Sequence, residues 1–371
     1  METRDQNETV DRKELEQAAE ESFDQASDDI KEELEGKLVV AFIGNVSSGK
    51  GSLINAIFGE EVASVHPIAG WTTEVQLFPV PEVPNLVIAD TPGLEDVSEV
   101  ISEKTRAFQE NCDMFVYLVN GAVGCTKPDH RAYGTLVGTR NPVAAVVNKA
   151  DTIRGTGEQM AEFISRTRGQ LGAEGKAFFV VAADPDPDKY PKPIGIDPVV
   201  DWLLRTAKEE GKGLLMAKAI RDKRQAASMM IGASTAAAGL AGALPIPGSD
   251  YITLTAIQTS MLLQLSSIYG VTISKDTVVQ FITQVLTSGA GRQIFRLGIQ
   301  GLKALGWLGG PFTEGLVVVL ASAIAASITY GLGWAWVTYL ESDLELPIED
   351  IVGAFSQAYK ARSEGNEMPS A

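Results

Sequence analysis

The chain has 371 residues, with 48 acidic side chains against 31 basic ones and a formal net charge of −17. That length exceeds one ordinary hydrophobic core, so two folded units are expected. So acidic a chain shows no basic face of the size that phosphate neutralisation demands, which argues against nucleic acid as a partner.

Cys112 and Cys125 are the only cysteines. They stand in no CxxC or Cys/His spacing, which reads as two free thiols in a reducing compartment. The first thirty residues are acidic and lack an apolar h-region, so no ordinary secretory signal is expected. Through Lys37 the chain carries 14 acids against 5 bases. Within this arm Leu15, Ala19, Phe23, Ala26, Ile30 and Leu34 recur at helical spacing, which predicts one amphipathic helix within 1–37 that packs against other helices of the chain.

From Leu38 the pattern changes. Apolar, β-branched runs at 38–42, 85–89, 114–119, 143–147 and 177–181 have strand length, and helical stretches at 52–58, 99–110, 131–138 and 157–171 lie between them. Alternation of this kind predicts an α/β fold with a mainly parallel, doubly wound sheet over 38–207. Ligands of such sheets bind at the carboxyl ends of the strands.

Three motifs fall at those ends. Gly44-Asn45-Val46-Ser47-Ser48-Gly49-Lys50 follows the first strand and opens a helix, the context in which backbone N–H groups and a helix N-terminus cradle phosphates while Lys50 supplies a point charge. Asp90-Thr91-Pro92-Gly93 ends the 85–89 strand. It offers an acid for the Mg²⁺ shell and the Gly93 N–H for a γ-phosphate. Asn148-Lys149-Ala150-Asp151 ends the 143–147 strand, where Asp151 can accept from both N1–H and the exocyclic amine of guanine. Adenine lacks that pair of donors and would leave a carboxylate unpaired. The expected ligands are GTP or GDP with Mg²⁺.

With these motifs in this order, residues 38–206 resemble the translation-factor-related class of GTPases, in layout the Era-like, dynamin-like and immunity-related types. The resemblance implies that Thr72-Thr73 are the switch I threonines, which of the two faces the metal being open and Thr73 the candidate, and that Ala182-Ala183 form a degenerate base-contacting loop. Two departures matter. Gly51 stands where these families carry the Ser or Thr that ligates Mg²⁺; Ser52 is next, but one helical residue turns a side chain by about 100°. Slow turnover is therefore expected. Leu94 stands where small Ras-like GTPases carry a water-orienting Gln, and Ser47 matches a dynamin serine that contacts a monovalent cation. The likeness thus implies activation by K⁺ or by pairing of G domains in a homodimer or oligomer. His66, in the expected switch I loop, reads as a solvated or packing residue.

Residues 208–224 hold Lys208, Lys212, Lys218, Arg221, Lys223 and Arg224 and read as a basic linker helix. No charged residue occurs in 225–249, 251–274 or 315–340, runs each longer than the about 20 apolar residues a bilayer span takes. An all-α hydrophobic domain is expected over 225–345, with a C-terminal helix and polar tail over 346–371. The run 316–340 is the best span, with Tyr330, Trp334, Trp336 and Tyr339 gathered at one end like an interfacial belt. The 293–308 segment, with Arg292, Arg296 and Lys303 about it and no acid, reads as a basic amphipathic surface helix. Pro245-Ile246-Pro247-Gly248 and its flanks resemble the helical domain typified by the bacterial YcjF family. Membrane lipid is the expected partner, with the G domain cytoplasmic and nucleotide state controlling the helical domain. The alternative is a soluble guanine-nucleotide-binding module that hydrolyses little.

Overall fold

In a computed structural model, residues 12–59, 62, 68–69, 76–90, 111–243, 250–294, 300 and 311–366 are described. The chain divides into two compact units, one formed by residues 33–222 and the other by 1–32 with 223–371.

The first unit is built on a seven-stranded sheet in the order β2-β3-β4-β1-β5-β6-β7. Its strands are β1 (Leu38–Gly44), β2 (Ile68–Ala69), β3 (Gln76–Val80), β4 (Val83–Asp90), β5 (Met114–Asn120), β6 (Val143–Asn148) and β7 (Ala177–Val180). From β4 through β7 neighbouring strands are parallel. β3 runs antiparallel to both β2 and β4. β1 and the first six residues of β5 are buried, as a strand covered on both faces must be. The packed helices are α2 (Lys50–Phe58), α3 (Lys127–Val137), α4 (Gly157–Leu171), α5 (Ile196–Glu209) and α6 (Gly213–Ala219). Both α3 and α4 begin with capping boxes, on Thr126 and Thr156.

The sequence pattern misses β3. Pro79 cannot donate to a ladder, and the β3–β4 register shifts between Pro79 and Val80, the kind of irregularity at which a strand tolerates proline. Within 208–224, read from sequence as a single linker helix, the chain forms the end of α5, all of α6 and the start of the next helix.

The second unit contains most of α1 (Arg12–Glu35), with Leu15, Ala18, Ala19 and Ala26 buried. With it are α7 (Lys223–Gly242), α8 (Asp250–Ile268), α9 (Lys275–Thr287), α10 (Pro311–Glu341) and α11 (Ile348–Ser363). α10 is the centre of this unit, packing on α7, α8 and α11. Its glycines permit the approach. A Cβ on Gly333 would lie 2.7 Å from Ile231 of α7, and one on Gly331 would lie 2.9 Å from Phe355 of α11. On α7, a Cβ on Gly242 would lie 2.8 Å from Ala325. Gly242 of α7 therefore serves close helix packing within the chain, whereas Gly232, Ala236 and Ala237 of the same helix are exposed.

The aromatic belt expected on α10 is a core instead. Trp336 is fully buried, its indole N–H donates to Ser266 Oγ at 3.0 Å, and its ring meets Phe281 edge-on. Arg224 lies over Trp334, and Arg362 over Tyr330. Gln258 donates to Thr329 Oγ1 at 3.2 Å in the interior. Among the described residues one helix, Gly315–Glu341, is long and apolar enough to cross a membrane. Most of the expected basic surface helix, the Pro245–Gly248 break and the 99–110 helix lie outside the described residues.

Candidate nucleotide-binding site

β1 ends at Gly44 and α2 begins at Lys50, so residues 45–49 form a loop at the carboxyl end of the sheet. The turn is tight: a Cβ on Gly44 would lie 2.5 Å from the Leu118 carbonyl oxygen. Ser47 sits at φ 61° and Gly49 at φ 85°, left-handed conformations that orient successive peptide planes unlike those of a strand or helix. Within the loop the Ser48 N–H donates to Asn45 O, while the N–H groups of Val46, Ser47, Gly49, Gly51 and Ser52 have no partner among the described residues. Lys50 Nζ donates back to Gly44 O at 3.0 Å. Consecutive unpaired N–H groups at a helix N-terminus form an anion cradle.

The carbonyl side of the loop is held by asparagines. Asn148, at the end of β6, donates to Ser48 O at 3.1 Å and Gly49 O at 3.2 Å. Its Oδ1 accepts from the N–H groups of Lys149 and Ala183. One buried side chain thus joins the phosphate loop, the Lys149–Asp151 turn and the loop after β7. There is no room for a larger residue at Gly49, since a Cβ would lie 2.3 Å from Asn148 Nδ2. Lys149 is left-handed at φ 63°, and Ala150–Thr152 form a 3₁₀ turn that carries Asp151 half-exposed, its carboxylate without a partner among the described residues.

Two further side chains, not singled out in the sequence, brace the same loop. Asn120, at the end of β5 and in register with Asn148, donates to Ser47 O at 3.0 Å. Asp129, buried in the first turn of α3, accepts from Asn45 Nδ2 at 2.8 Å and from Tyr117 OH at 3.0 Å through one oxygen. Its other oxygen accepts from Thr126 N and Oγ1. Burial first, and then the Asp129 charge, push the Tyr117 hydroxyl well above its usual range, so it stays a donor. The same two causes push the Cys125 thiol up to about 11. The available signals were Thr126-x-x-Asp129, which reads as a capping box, and the Asn residues that end both β5 and β6.

At Ala182-Ala183 the backbone donors are turned inward. Ala182 N–H bonds Ile194 O at 3.0 Å and Ala183 N–H bonds Asn148 Oδ1 at 3.1 Å, so both donors are already engaged. The next N–H along the loop, that of Asp184, has no partner among the described residues. On the metal side, Asp90 ends β4 in register with Phe42 of β1, which brings its backbone to the same end of the sheet as the loop. Thr72, Thr73, His66, Gly93 and the side chain of Asp90 lie outside the described residues. Gly51 is exposed, and a Cβ there would meet nothing within 4 Å. The cradle fits the phosphates of a nucleotide. For a divalent cation the first turn of α2 presents one hydroxyl, that of Ser52.

Residues 39–149 match the family described as 50S ribosome-binding GTPase. The first unit is a P-loop GTPase domain. Residues 207–355 match a domain of unknown function, so the GTPase domain is followed by a second, helical domain. Among curated relatives, GTPase Der of Campylobacter hominis is 28% identical over 179 residues, covering 46% of this chain and 35% of that protein. GTPase Era of a Nostoc species is 30% identical over 118 residues, covering 30% of this chain and 36% of that protein. The chain therefore spans about a third of the length of these relatives. Among solved structures, a small COPII coat GTPase from Encephalitozoon cuniculi in complex with GDP aligns with 55% of this chain and 86% of its own, at 17% identity and a TM-score of 0.35.

Proposed function

We propose that GTP binding and hydrolysis in the GTPase domain control how the helical domain meets a membrane. The observation that carries this reading is the asymmetry of the helical domain. α7 and α10 run antiparallel, since Arg224 pairs with Glu341 while Gly242 faces Ala325. The ion pair and the Tyr269–Glu341 bond lie at one end. At the other end Leu240, Ile252, Leu316 and Val319 are all more than half exposed. None of the residues 315–324 is buried, and none is charged. Ten such residues at the helical rise extend about 15 Å, half of a hydrocarbon core. A tip of this depth suits insertion into one leaflet.

Within the GTPase domain, Lys50 and the N–H groups of Val46, Ser47, Gly49, Gly51 and Ser52 hold the phosphates, and Asp151 selects guanine, with Asn148 tying the Lys149–Asp151 turn to the phosphate loop. Mg²⁺, when bound, would neutralise charge on the phosphates; Ser52, Asp90 and Thr73 are the residues to hold it. Gly51 contributes no hydroxyl, so turnover is slow. Because a side chain at 51 meets nothing, Gly51→Ser should raise turnover at limiting Mg²⁺ without loss of stability, and an unchanged Mg²⁺ dependence would refute the assignment. Ser47 and K⁺, and pairing of GTPase domains in a homodimer, are the proposed route to activation. Turnover per molecule should then rise with protein concentration and with K⁺ over Na⁺.

The second reading, a soluble nucleotide-dependent module, is favoured by the packed aromatic half of α10. Flotation of the full chain with anionic liposomes, in GDP and in a non-hydrolysable GTP analogue, separates the two. Absence from the lipid fraction in both nucleotides supports the soluble module.

A further inference from the structure

The phosphate loop has a second support that its motif does not encode. Three consecutive carbonyls, of Ser47, Ser48 and Gly49, each accept from an asparagine amide, Asn120 for the first and Asn148 for the other two. In a trans peptide the carbonyl and the following N–H point to opposite sides, so the Ser48 carbonyl tied to Asn148 turns the Gly49 N–H, unpaired among the described residues, away from Asn148, while the bonds at Ser47 and Gly49 fix the backbone on either side of it. Residue 45 anchors the near end of this arc. Its carbonyl accepts the Ser48 N–H, and its side chain is tied to Asp129. Asp129 is 2% exposed and accepts four donors, none of them a cation. A carboxylate held by neutral donors in the interior is costly to bury, and capping α3 through Thr126 needs only one of its two oxygens.

We infer that Asp129 is a positioning residue for nucleotide binding, acting through Asn45 to hold the phosphate loop in its binding conformation before ligand arrives. Its Oδ2 serves the cap of α3 and its Oδ1 serves the loop. The inference rests on residues 44–52 being the phosphate site, and it goes beyond that reading by assigning a residue 84 positions away to it.

The test is a double-mutant cycle on the full-length protein, read as the dissociation rate of a fluorescent GDP analogue alongside thermal unfolding. Asn45→Ala severs the link while leaving α3 and the core intact, and Asp129→Asn keeps the volume while removing the charge. Each is expected to speed dissociation roughly ten-fold, and the double variant no more than either single one. Thr126→Ala weakens the cap of α3 and should lower the unfolding midpoint without changing dissociation. If Thr126→Ala speeds dissociation as much as Asp129→Asn, the role is structural only. Additive effects of Asn45→Ala and Asp129→Asn, or unchanged dissociation in both, overturn the inference. Should the wild-type protein not bind the analogue at all, the phosphate-site reading itself fails, a result distinct from binding that ignores Asp129.

Discussion

The two units bring chain segments into close approach by opposite means. In the GTPase domain, polar side chains reach across to backbone carbonyls: Asn120 to Ser47, Asn148 to Ser48 and Gly49, and Asn85 to Leu34. In the helical domain, approach comes from deleting side chains, at Gly331, Gly333 and Gly242, so that Phe355, Ile231 and Ala325 can sit against a bare backbone. The first device is directional and suits a loop that must keep its N–H groups turned toward a ligand. The second is a matter of shape, and suits helices whose facing surfaces are mainly apolar and carry few interhelical hydrogen bonds.

The comparison breaks most sharply at the glycines, because glycine occurs in both units for different reasons. Gly49→Ala should weaken GDP binding by more than about a hundred-fold, since it imposes a Cβ on a left-handed residue and displaces Asn148. Isothermal titration would show it, and retention of wild-type affinity would mean that the loop is not held from the Asn148 side. Gly333→Ala should leave nucleotide affinity alone and lower the unfolding midpoint of the helical domain by roughly 2–10 °C. Adding Ile231→Ala should recover part of that loss, and strictly additive losses would show that the two residues do not compete for one space.

A thiol sharpens the electrostatic half of the comparison. With its pKa pushed up to about 11, Cys125 should alkylate near pH 8 roughly a hundred-fold more slowly than a free thiol. The rate should keep climbing past pH 9, and it should rise at fixed pH in Asp129→Asn, because one of the two causes of the shift is removed. A plateau near pH 8.5 in the wild-type protein contradicts the half-buried, negatively charged surroundings.

The smallest effect is expected at Glu33. Burial raises its pKa above the usual carboxylate value, although the Leu214 N–H opposes the rise by donating at 2.7 Å. A folded-state pKa above the unfolded one means that Glu33 favours folding below its unfolded pKa and loses that contribution as pH rises through the folded value. Glu33→Gln keeps the acceptor without the charge. It should therefore raise the midpoint slightly at pH 7, by under about 2 °C, and have no effect near pH 4. A loss at pH 7 would reverse the sign of this account.

Much of the GTPase domain was legible in the chain because its determinants are local. Five of the seven strands announce themselves as apolar β-branched runs, and the phosphate loop and the Asn148–Asp151 turn depend on residue types at short fixed spacings. β3 was hidden by Pro79, whose place in a strand depends on a register shift with β4 that no local pattern reveals.

Legible in the chain alone were the succession of five strand-length runs and their motifs, Asp151 as the candidate guanine-reading carboxylate, the missing hydroxyl at Gly51 and the apolar character of the second half. Only the tertiary structure decided which donors are already engaged at Ala182 and Ala183, that Asp129 and Asn120 reach the phosphate loop, and that the aromatic residues of α10 lie in a core. The physical reason is that local pattern records what a residue can do, whereas hydrogen-bond satisfaction and burial depend on residues 70 to 100 positions away, such as Asn120 for Ser47, Trp336 for Ser266 and Asn148 for Ser48.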